Sequence, residues 1–573
     1  MKRISILMSI LVGLLLIAPL LAILFLANTL VGTPFPPYSL FNFASRLLPG
    51  PVITFGIDSI VGIVRGLNLG PTDTTAKLAE RIMAIGMMAV GGILLSVIYF
   101  AIVPRFVKRA ETVYRDSQMV GRVFGLLAAL PIILIVLAYD TSSPLPSVVV
   151  AIFLAVVFFM WGEIHGIVYS RLAEPLSPVA AEAVDPGKLD YVPPMMRTEA
   201  PVAASNIPTA ASVAVLNRRQ FLIQLGGTAA VITVAGAGLS AWLNASRAAS
   251  ELAEIVDNDP SNATFMRSDE ANLTKPAPGT RLEYTPLDRH YRIDINSDSG
   301  PAIAEADYEL EISGMVETPL KLKLADIRNN YEKQSQYITM SCISNPLGGD
   351  LISTTKWTGI SMQDLLKTAK PAPGARYLKI SAADGFYETV ALDVINNDPK
   401  VMLAYEWDDQ PLTQIHGFPL RIHIPNRYGM KQPKWITSME FVGDWEPGFW
   451  VDRGWDKEAL VRATSVIDTV ATKDIITDGD KKLVPVGGIA WAGTRGISKV
   501  EVSVDGGTWN EAQLRKPLSE KAWVLWRYDW PYQEGTHTFS VRCYETDGTM
   551  QIVDEAGVHP SGATGIISKR ASL

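Results

Sequence analysis

The chain contains little cysteine and little histidine. Its 573 residues include two cysteines, Cys342 and Cys543, and six histidines. Two cysteines cannot form the disulfide framework of a small secreted domain, and they cannot supply a Cys-rich zinc or iron–sulfur site. His165 is the only histidine in the first 250 residues. That half of the chain therefore lacks the two axial histidines of a bis-histidine haem.

Long stretches of the chain lack charge. The mean hydropathy is +0.18, and 48% of the residues are hydrophobic. A bilayer-spanning helix needs about 20 mostly apolar residues, and five uncharged segments come near or exceed this length. They are residues 4–30, 83–103, 123–139, 141–162 and 220–246. We predict a membrane anchor of about five spans, in which 4–30 is too long for a typical cleaved signal peptide.

The spans show no sign of transport chemistry, because they contain essentially no intramembrane charges. Basic residues in the short loops favour a cytoplasmic N-terminus and an outward location for everything after residue 246. Residues 52–66 are apolar but include Asp58 and Arg65, so we interpret them as an interfacial or re-entrant segment. A sixth span there would reverse the orientation. We predict a multi-pass protein of the cell (inner) membrane whose C-terminal half lies on the periplasmic or extracellular side.

Composition and periodicity divide the chain into six parts. Residues 1–170 are an anchor with about four transmembrane helices, and the Pro- and Ala-rich residues 171–217 are a cytoplasmic linker. Residues 218–246 form the fifth helix, and 247–300 are a tether and lead-in. Alternating strands at 308–316, 377–385 and 420–426 and a helix at 361–369 predict an α+β domain over 301–465. The Asp505-Gly506-Gly507 turn predicts a hairpin in an immunoglobulin-like β-sandwich over 480–570.

The fifth apolar segment begins with a paired-arginine motif. Its sequence, NRRQFLIQLGG (217–227), is similar to a twin-arginine export signal. Ordinary positive flanks of a membrane helix would give the same pair of arginines, so both interpretations stay open at this point.

Three stretches together resemble one enzyme family. They are SCISNPLGGDLISTTKWTGISMQDLL (341–366), VMLAYEWDDQPLTQIHGFPLRIHIPNRYGMKQPKWI (401–436) and the 484–570 region with VEVSVDGGTWNEA and VRCYETDGTMQ. In this order they resemble the sulfite-oxidase family of molybdopterin enzymes, over roughly residues 285–570. The resemblance implies a sulfite-oxidase-type α+β cofactor domain followed by an immunoglobulin-like dimerisation domain.

Cys342 is the residue to which the resemblance assigns the metal. A metal-bound thiol is deprotonated outright, and soft sulfur suits molybdenum. Cys342 follows the predicted strand QYITMS and opens a Gly-rich turn. Without the family context, the same cysteine would be interpreted as a buried small hydrophobe. Cys543 alternates with Val541 on a predicted strand, so we interpret it as a buried structural thiol.

The resemblance also implies a set of residues that bind molybdenum-molybdopterin. A phosphate on the cofactor requires fixed cations and hydrogen-bond donors, and the 416–434 stretch is rich in basic residues, although a solvated basic edge would have the same composition. The implied cofactor-binding residues are Tyr291, Arg292, Cys342, Asp384, His416, Arg421, Gln432 and Lys434. With this cofactor, an export route for folded domains becomes the favoured interpretation of Arg218 and Arg219.

Two departures from the family pattern bear on the substrate. Sulfite oxidases read Cys-Ala-Gly-Asn-Arg-Arg at the ligand, whereas this chain reads Cys342-Ile-Ser-Asn-Pro-Leu, so that Leu347 replaces an oxyanion-binding arginine. Trp455 occupies the place of a tyrosine near the metal and becomes, with Cys342, a candidate catalytic residue. The pattern is closer to the branch containing the periplasmic methionine-sulfoxide reductase subunit, which uses neutral sulfoxides.

These observations predict a membrane-anchored oxidoreductase that transfers an oxygen atom and two electrons. Reduction of a small sulfoxide-like or N-oxide substrate is favoured over oxidation of sulfite. A non-catalytic anchored binding or assembly module is the alternative from another class. The chain has no haem, flavin or iron–sulfur motif, so we expect an external carrier, either cytochrome c or a quinone-linked membrane subunit. The resemblance implies a homodimer, and the net charge of −7 gives no reason to expect nucleic acid as a partner.

Overall fold

A computed structural model describes residues 4–67, 70–107, 109–140, 143–173, 218–258 and 267–573. The chain divides into two compact units. The first comprises Met1–Phe35, Gly86–Leu137 and Leu145–Trp242, and the second comprises Pro36–Ile85, Ala138–Pro144 and Leu243–Leu573. Most of the predicted linker at 171–217 lies outside the described residues.

Seven helices occupy the described part of the N-terminal half. They are α1 Ile6–Val31, α2 Pro36–Leu47, α3 Gly50–Gly66, α4 Thr72–Phe106, α5 Val113–Tyr139, α6 Ser147–Ala173 and α7 Arg218–Asn258. Helices α1, α4, α5, α6 and α7 are long and apolar enough to cross a membrane, as the five uncharged segments predicted. Helix α7 extends beyond the predicted end at residue 246 into the segment expected to be a tether.

Close glycine contacts join α5 and α6 in the first unit. A Cβ atom added at Gly162 would lie 2.1 Å from the carbonyl oxygen of Gly121, and one added at Gly125 would lie 2.2 Å from that of Phe158. Small residues at such spacing let two helix backbones approach closely, which is a common basis of helix association in membranes. The two helices therefore pack through backbone contact rather than through long side chains.

His165 on α6, the histidine that the sequence placed near the end of the fourth apolar segment, is fully buried. Its Nε2 lies 2.8 Å from Ser96 Oγ, and its Nδ1 lies 2.9 Å from the Trp161 carbonyl oxygen. Because both ring nitrogens have hydrogen-bond partners, the imidazole can stay inside the helix bundle without reaching water.

The α+β domain of the second unit contains two sheets. Its helices are α8 Leu324–Asn330, α9 Met362–Ala369 and α10 Leu392–Asn396. Its strands are β1 Leu310–Gly314, β2 Leu320–Leu322, β3 Lys333–Ser341, β4 Ile352–Ser361, β5 Tyr377–Ala382, β6 Tyr387–Ala391, β7 Met402–Trp407, β8 Gln410–Pro411, β9 Arg421–His423 and β10 Ile436–Val442. The strand orders are β2-β1-β10-β5-β6 and β3-β4-β7-β8, and β9 also pairs with β7. The predicted strands at 308–316, 377–385 and 420–426 and the helix at 361–369 are confirmed as β1, β5, β9 and α9.

Alternation of apolar residues explains why these strands share one core. Leu378 and Ile380 of β5 are fully buried with Leu310 of β1, and α9 covers them with Leu365 and Leu366. The Ser361 hydroxyl caps α9 by accepting a hydrogen bond from the Gln363 backbone N–H, as expected of serine before a helix. A second cluster includes Ile338 and Met340 of β3, the strand that leads to the candidate site, together with Cys342.

Two further sheets form the C-terminal region. Its strands are β11 Thr464–Val470, β12 Ile476–Asp478, β13 Lys481–Trp491, β14 Lys499–Val504, β15 Asn510–Glu511, β16 Gln513–Leu514, β17 Val524–Pro531, β18 Thr536–Tyr544 and β19 Ile567–Ser572. The strand orders are β11-β13-β17-β16 and β15-β14-β18-β19. Because β11 pairs with β13, this region begins before the predicted start at 480. The predicted hairpin is present as β14 and β15, and Cys543 is fully buried in the core, as predicted.

Candidate active site

Cys342 lies at the end of the long β3–β4 hairpin. The nine-residue register of β3 on β4 ends at the Ser341–Ile352 pair, and the backbone N–H of Cys342 donates to the Leu351 carbonyl at 3.0 Å. The Cys342 Sγ lies 3.0 Å from Ser344 Oγ. Burial raises the pKa of this thiol, and the Ser344 contact acts in the opposite direction. The free thiol is therefore protonated at neutral pH, and binding a cation would displace its proton.

A cavity of about 170 Å³ adjoins Cys342. One water needs roughly 10–15 Å³ by a comparable measure, so the cavity has room for a ligand much larger than water. Seven of the eight residues predicted to bind the cofactor line it, and so does Trp455. The seven are Tyr291, Cys342, Asp384, His416, Arg421, Gln432 and Lys434.

Arg292 is the predicted residue that does not line the cavity. Its Nε donates to Asp294 Oδ2 at 2.8 Å, and its backbone N–H donates to Asp73 Oδ2 at 2.8 Å. The resemblance implied that Arg292 contacts the cofactor. In the structure its side chain instead binds Asp294, which itself lines the cavity. Other sequence neighbours of Arg292 line the cavity as well, namely His290, Tyr291 and Ile293.

Arg421 is a buried cation without an acidic partner among the described residues. Its Nη1 donates to the His416 carbonyl at 3.0 Å, and its Nη2 lies 3.6 Å from Met340 Sδ. No ion pair with a described carboxylate is formed, and Nε has no hydrogen-bond partner within the described chain. Burial lowers the pKa of Arg421 to about 10, so it remains a cation at neutral pH and favours an anion in the cavity.

Lys434 is the second cation of the cavity wall. Its Nζ lies 2.8 Å from Asp294 Oδ2 and donates to the Ile415 carbonyl at 2.9 Å. Burial lowers its pKa to about 8, despite the attraction of Asp294. Burial alone would raise the pKa of Asp294, but Lys434, Arg292 and Lys77 outweigh it and hold that pKa well below its usual range. Three cations thus act on one buried carboxylate, and Lys77 also pairs with Glu80 at 2.9 Å.

Two histidines of the cavity are neutral. Burial and then the neighbouring positive groups lower the pKa of His290 to about 3 and that of His416 well below its usual range. The two rings lie 5.3 Å apart, and His290 Nε2 has no hydrogen-bond partner within the described residues. Sequence reasoning missed His290, although it immediately precedes Tyr291 in the DRHYRID stretch.

Asp384 and Gln432 supply polar atoms on further sides of the cavity. Asp384 accepts hydrogen bonds from Asn296 Nδ2 at 2.9 Å and from the Phe386 N–H at 3.0 Å, while burial raises the pKa of its carboxyl group. The Gln432 Oε1 lies 2.8 Å from His423 Nδ1. These side chains are held by their neighbours in fixed positions.

The remaining wall near Trp455 is apolar. Trp455 is 4% exposed, and its Nε1 has no hydrogen-bond partner in the described chain. Trp450, Ile343 and Met430 line the same cavity and pack with Trp455 in one hydrophobic cluster. A single neutral N–H donor among apolar side chains suits a neutral acceptor oxygen better than a multiply charged anion.

Leu347 does not line this cavity. It lies in a separate small cavity with Tyr428 and Arg462. The absence of an arginine at position 347 is therefore weaker evidence about the ligand beside Cys342 than the sequence suggested. Trp455, which differs from the family pattern and lines the cavity, is the stronger evidence.

The described residues form no group of three or more His, Cys, Asp or Glu side chains that could hold a metal ion. A metal at Cys342 would therefore depend on a cofactor for its other ligands. The cavity fits a cofactor of this kind. The Cys342 thiol lies on its wall, and Arg421, a cation without an acidic partner among the described residues, favours a phosphate. Three buried nitrogens on side chains that line the cavity also lack hydrogen-bond partners among the described residues. These nitrogens belong to His290, Arg421 and Trp455.

Comparison with known proteins identifies both C-terminal regions. Residues 298–450 match the oxidoreductase molybdopterin binding domain, and residues 458–559 match the Mo-co oxidoreductase dimerisation domain. This part of the chain belongs to the sulfite-oxidase-like family of molybdopterin oxidoreductases. The predicted family and its molybdenum-molybdopterin cofactor are thereby confirmed.

The family includes relatives with different named activities. The chain is 29% identical over 262 residues to a nitrate reductase [NADPH] of Fusarium oxysporum, covering 37% of this chain and 28% of that protein. It is 25% identical over 312 residues to the sulfite oxidase of Gallus gallus, covering 47% of this chain and 68% of that protein. The crystal structure of the sulfane dehydrogenase SoxCD from Paracoccus pantotrophus matches with 20% identity and a TM-score of 0.42, covering 48% of this chain and 78% of that one.

Sequence reasoning also missed a contribution from the N-terminal half. Ile60 and Val61 of α3 line the cavity, as do Ala76, Lys77 and Glu80 of α4. All five belong to the same compact unit as Cys342. No local motif marks them, and only the tertiary structure brings them to the site.

Proposed function

We propose that this protein is a membrane-anchored, outward-facing molybdenum-molybdopterin oxidoreductase that carries out two-electron oxygen-atom transfer. The observation that supports it most strongly is the placement of a buried thiol, Cys342, on the same cavity as Arg421, a cation with no carboxylate partner in the described part of the chain. The thiolate of Cys342 would bind the metal, and Arg421 and Lys434 would bind the anionic end of the cofactor. The cofactor supplies the redox chemistry, and the protein supplies orientation and electrostatics.

The substrate that we propose is a small neutral molecule with a polarised oxygen, such as a sulfoxide or an N-oxide. Trp455 would donate its indole N–H to that oxygen, and Trp450, Ile343 and Met430 would exclude water from the rest of the substrate. Tyr291 would remain a neutral hydroxyl, because burial raises its pKa. Reduction of such a substrate consumes two electrons and two protons, and the substrate oxygen leaves as water.

Oxidation of sulfite is the second candidate, supported by the named activity of the Gallus gallus relative. Sulfite is an anion and would need a cation close to Cys342. Among the cavity-lining cations, Lys434 is already bound to Asp294 and Lys77 to Glu80, and Arg421 is the one that we assign to the cofactor. The neutral, aromatic surroundings of Trp455 therefore favour the first candidate.

Activity measurements on the full chain in detergent test the substrate class. Reduced viologen supplies electrons, and sulfoxides and N-oxides are compared as acceptors. Trp455→Phe keeps the ring but removes the N–H, and we expect kcat/KM for the preferred acceptor to fall on the order of tenfold to a hundredfold. Trp445→Phe is a matched control, because Trp445 lines a different cavity. Equal loss in both variants would contradict a substrate contact at Trp455.

The membrane side of the proposal rests on the five apolar helices and the paired arginines. A cofactor inserted in the cytoplasm requires export of a folded domain, which the twin-arginine route provides. Changing Arg218 and Arg219 to Lys keeps the charge, so it separates an export signal from a positive flank. We expect protease added from outside to leave the C-terminal domains of this variant intact and to digest them in the wild type. Digestion of both would contradict the export signal.

The proposed topology has a separate test. Labelling from outside of a cysteine introduced in the 171–217 segment would contradict it.

Electrons would reach the site from cytochrome c or from a quinone-linked membrane subunit. The matched dimerisation domain supports a homodimer. A non-catalytic binding or assembly module is the alternative. The presence of His416 and Arg421 on the same cavity as Cys342 argues against it. Molybdenum near zero in protein made with ample molybdate would favour that alternative.

A further inference from the structure

The segment 36–85, which contains α2, α3 and the first part of α4, forms part of the cavity beside Cys342. Ile60 and Val61 contribute one apolar patch, and α4 contributes Thr72, Ala76, Lys77 and Glu80. The sulfite-oxidase-like match begins at residue 298, so these side chains come from outside the matched domains. The cavity is thus completed by a part of the chain that its matched domains do not include.

Hydrogen bonds fix this segment to the residues around the cavity. Asn42 Oδ1 accepts from Ser297 Oγ at 2.7 Å, and Arg46 Nη2 donates to the Asp384 carbonyl at 2.7 Å. Asp73 Oδ2 accepts from the backbone N–H of Arg292 at 2.8 Å. These contacts are distributed over α2 and α4, so the segment is held at several points rather than at one.

Lys77 is a deeply buried charge of this segment. Its side chain is 8% exposed, and its Nζ donates to the carbonyls of Asp294 and Asn296 at 2.8 and 2.9 Å and to Glu80 Oε2 at 2.9 Å. The same Nζ lies 3.6 Å from Asp294 Oδ1. A buried ammonium with all three protons used is positioned rigidly.

Lys77 acts on the cavity through Asp294. That carboxylate is also the partner of Lys434, which lines the cavity. Without Lys77, the Asp294 and Asn296 carbonyls would lose a donor, and the Asp294 carboxylate would lose one of the three cations that act on it. The 294–296 backbone and the Lys434 ammonium are therefore both held in place from the 36–85 segment.

We propose that the 36–85 segment is a wall of the cofactor site and that Lys77 is a positioning residue that retains the molybdopterin. The proposal rests on the molybdopterin assignment and is independent of the substrate. Its expected consequence is that the C-terminal domains keep their cofactor only when this segment is intact.

The test uses the full chain in detergent and measures release of the cofactor. Lys77→Met removes the charge, Lys77→Arg keeps it, and Lys275→Met is a control at an exposed lysine. Pterin and molybdenum that remain bound are measured over time at elevated temperature. We expect release from Lys77→Met to be on the order of tenfold faster than from wild type, the effect of one lost charge-assisted contact. Lys77→Arg should release more slowly than Lys77→Met, and Lys275→Met should match wild type.

Thermal melting separates positioning from a general loss of stability. Bound cofactor raises the melting temperature by an amount that grows with the logarithm of its affinity, so the holo-minus-apo difference should shrink in Lys77→Met. The apo protein should melt below wild type as well, because the Asp294 and Asn296 carbonyls lose a donor, but its fall should be smaller than that of the holo protein. Equal release rates in wild type and Lys77→Met, or equal falls in the apo and holo melting temperatures, would overturn the proposal. Wild-type protein that contains no molybdenum would overturn the cofactor assignment as well, which distinguishes the two failures.

Discussion

The guanidinium of Arg421 lies over the indole ring of Trp357, with 4.8 Å between Cζ and the ring centroid. Both side chains are buried, and the aromatic face stabilises a cation that has no carboxylate partner among the described residues. An aromatic ring holds the charge without neutralising it. Arg421 is therefore prepared to bind an anion, which makes it the most informative position for mutation.

Arg421→Met should reduce the pterin and molybdenum content at least about tenfold, because one charge-assisted contact to the cofactor is lost. The apo protein should melt at or above the wild-type temperature, since a buried unpaired charge is removed. Metal analysis and thermal melting measure the two effects. Arg376→Met is the control, because the Arg376 side chain is 66% exposed. Full cofactor content in Arg421→Met would contradict the assigned role.

Anion binding to the apo cavity should weaken as the pH rises through about 8. Burial lowers the pKa of Lys434 to about 8, so its positive charge is present below that pH and is lost above it. The pKa values of His290 and His416 are lowered far enough that both stay neutral, and the pKa of Arg421, about 10, keeps it charged. Sulfate keeps its charge over this range and serves as the probe in calorimetric titrations of apo protein. Lys434→Met should lack the pH-dependent step, and a step that persists in this variant would exclude Lys434 as its source.

Replacing each of the two cysteines with serine should have opposite effects on the absorption band and on stability. Cys342→Ser should abolish the thiolate-to-molybdenum absorption band and the activity, with little change in apo stability. Cys543→Ser should keep the band but lower stability by roughly 1–3 kcal/mol, because it buries a hydroxyl in the sandwich core. Absorbance and thermal melting distinguish the two. Loss of the band in Cys543→Ser at a temperature where it is folded would contradict a purely structural Cys543.

Gly162→Leu should disrupt the α5–α6 pair, since a Cβ there would overlap the Gly121 backbone. We expect a lower melting temperature for the detergent-solubilised protein. Gly91→Leu is the matched control in α4, because no atom lies within 4 Å of a Cβ added at Gly91. Equal melting temperatures for the two variants would show that the close approach of α5 and α6 does not determine stability.

Periodicity and motifs were sufficient to predict the five long apolar helices, helix α9, several strands and eight of the 28 residues that line the cavity. The apolar runs gave α1 and α4–α7 because membrane-length helices have a simple pattern. Cys342, His416 and Arg421 were found from the resemblance, since they lie within the motif-bearing stretches. Local sequence contains the signal for such residues.

The parts that were not predicted depend on contacts between distant segments. Lys77 and Ile60 look like residues of an ordinary loop and helix, and nothing in their neighbourhood signals a cavity more than 200 residues further along the chain. Arg292 was assigned to the cofactor from the resemblance, whereas in the structure its guanidinium pairs with Asp294, and no local motif marks that pairing. Leu347 was interpreted from an alignment of motifs, whereas its position in a separate cavity follows from the turn after Cys342.

The central claim is a molybdenum cofactor at Cys342 with a neutral substrate. The most direct measurement follows the thiolate-to-molybdenum absorption band of oxidised, detergent-solubilised full chain while sulfite is added anaerobically. We expect the band to be present, to be unchanged by sulfite, to bleach with reduced viologen and to return on addition of a sulfoxide. Rapid bleaching by sulfite would contradict the proposed substrate, and absence of the band would contradict the cofactor site itself.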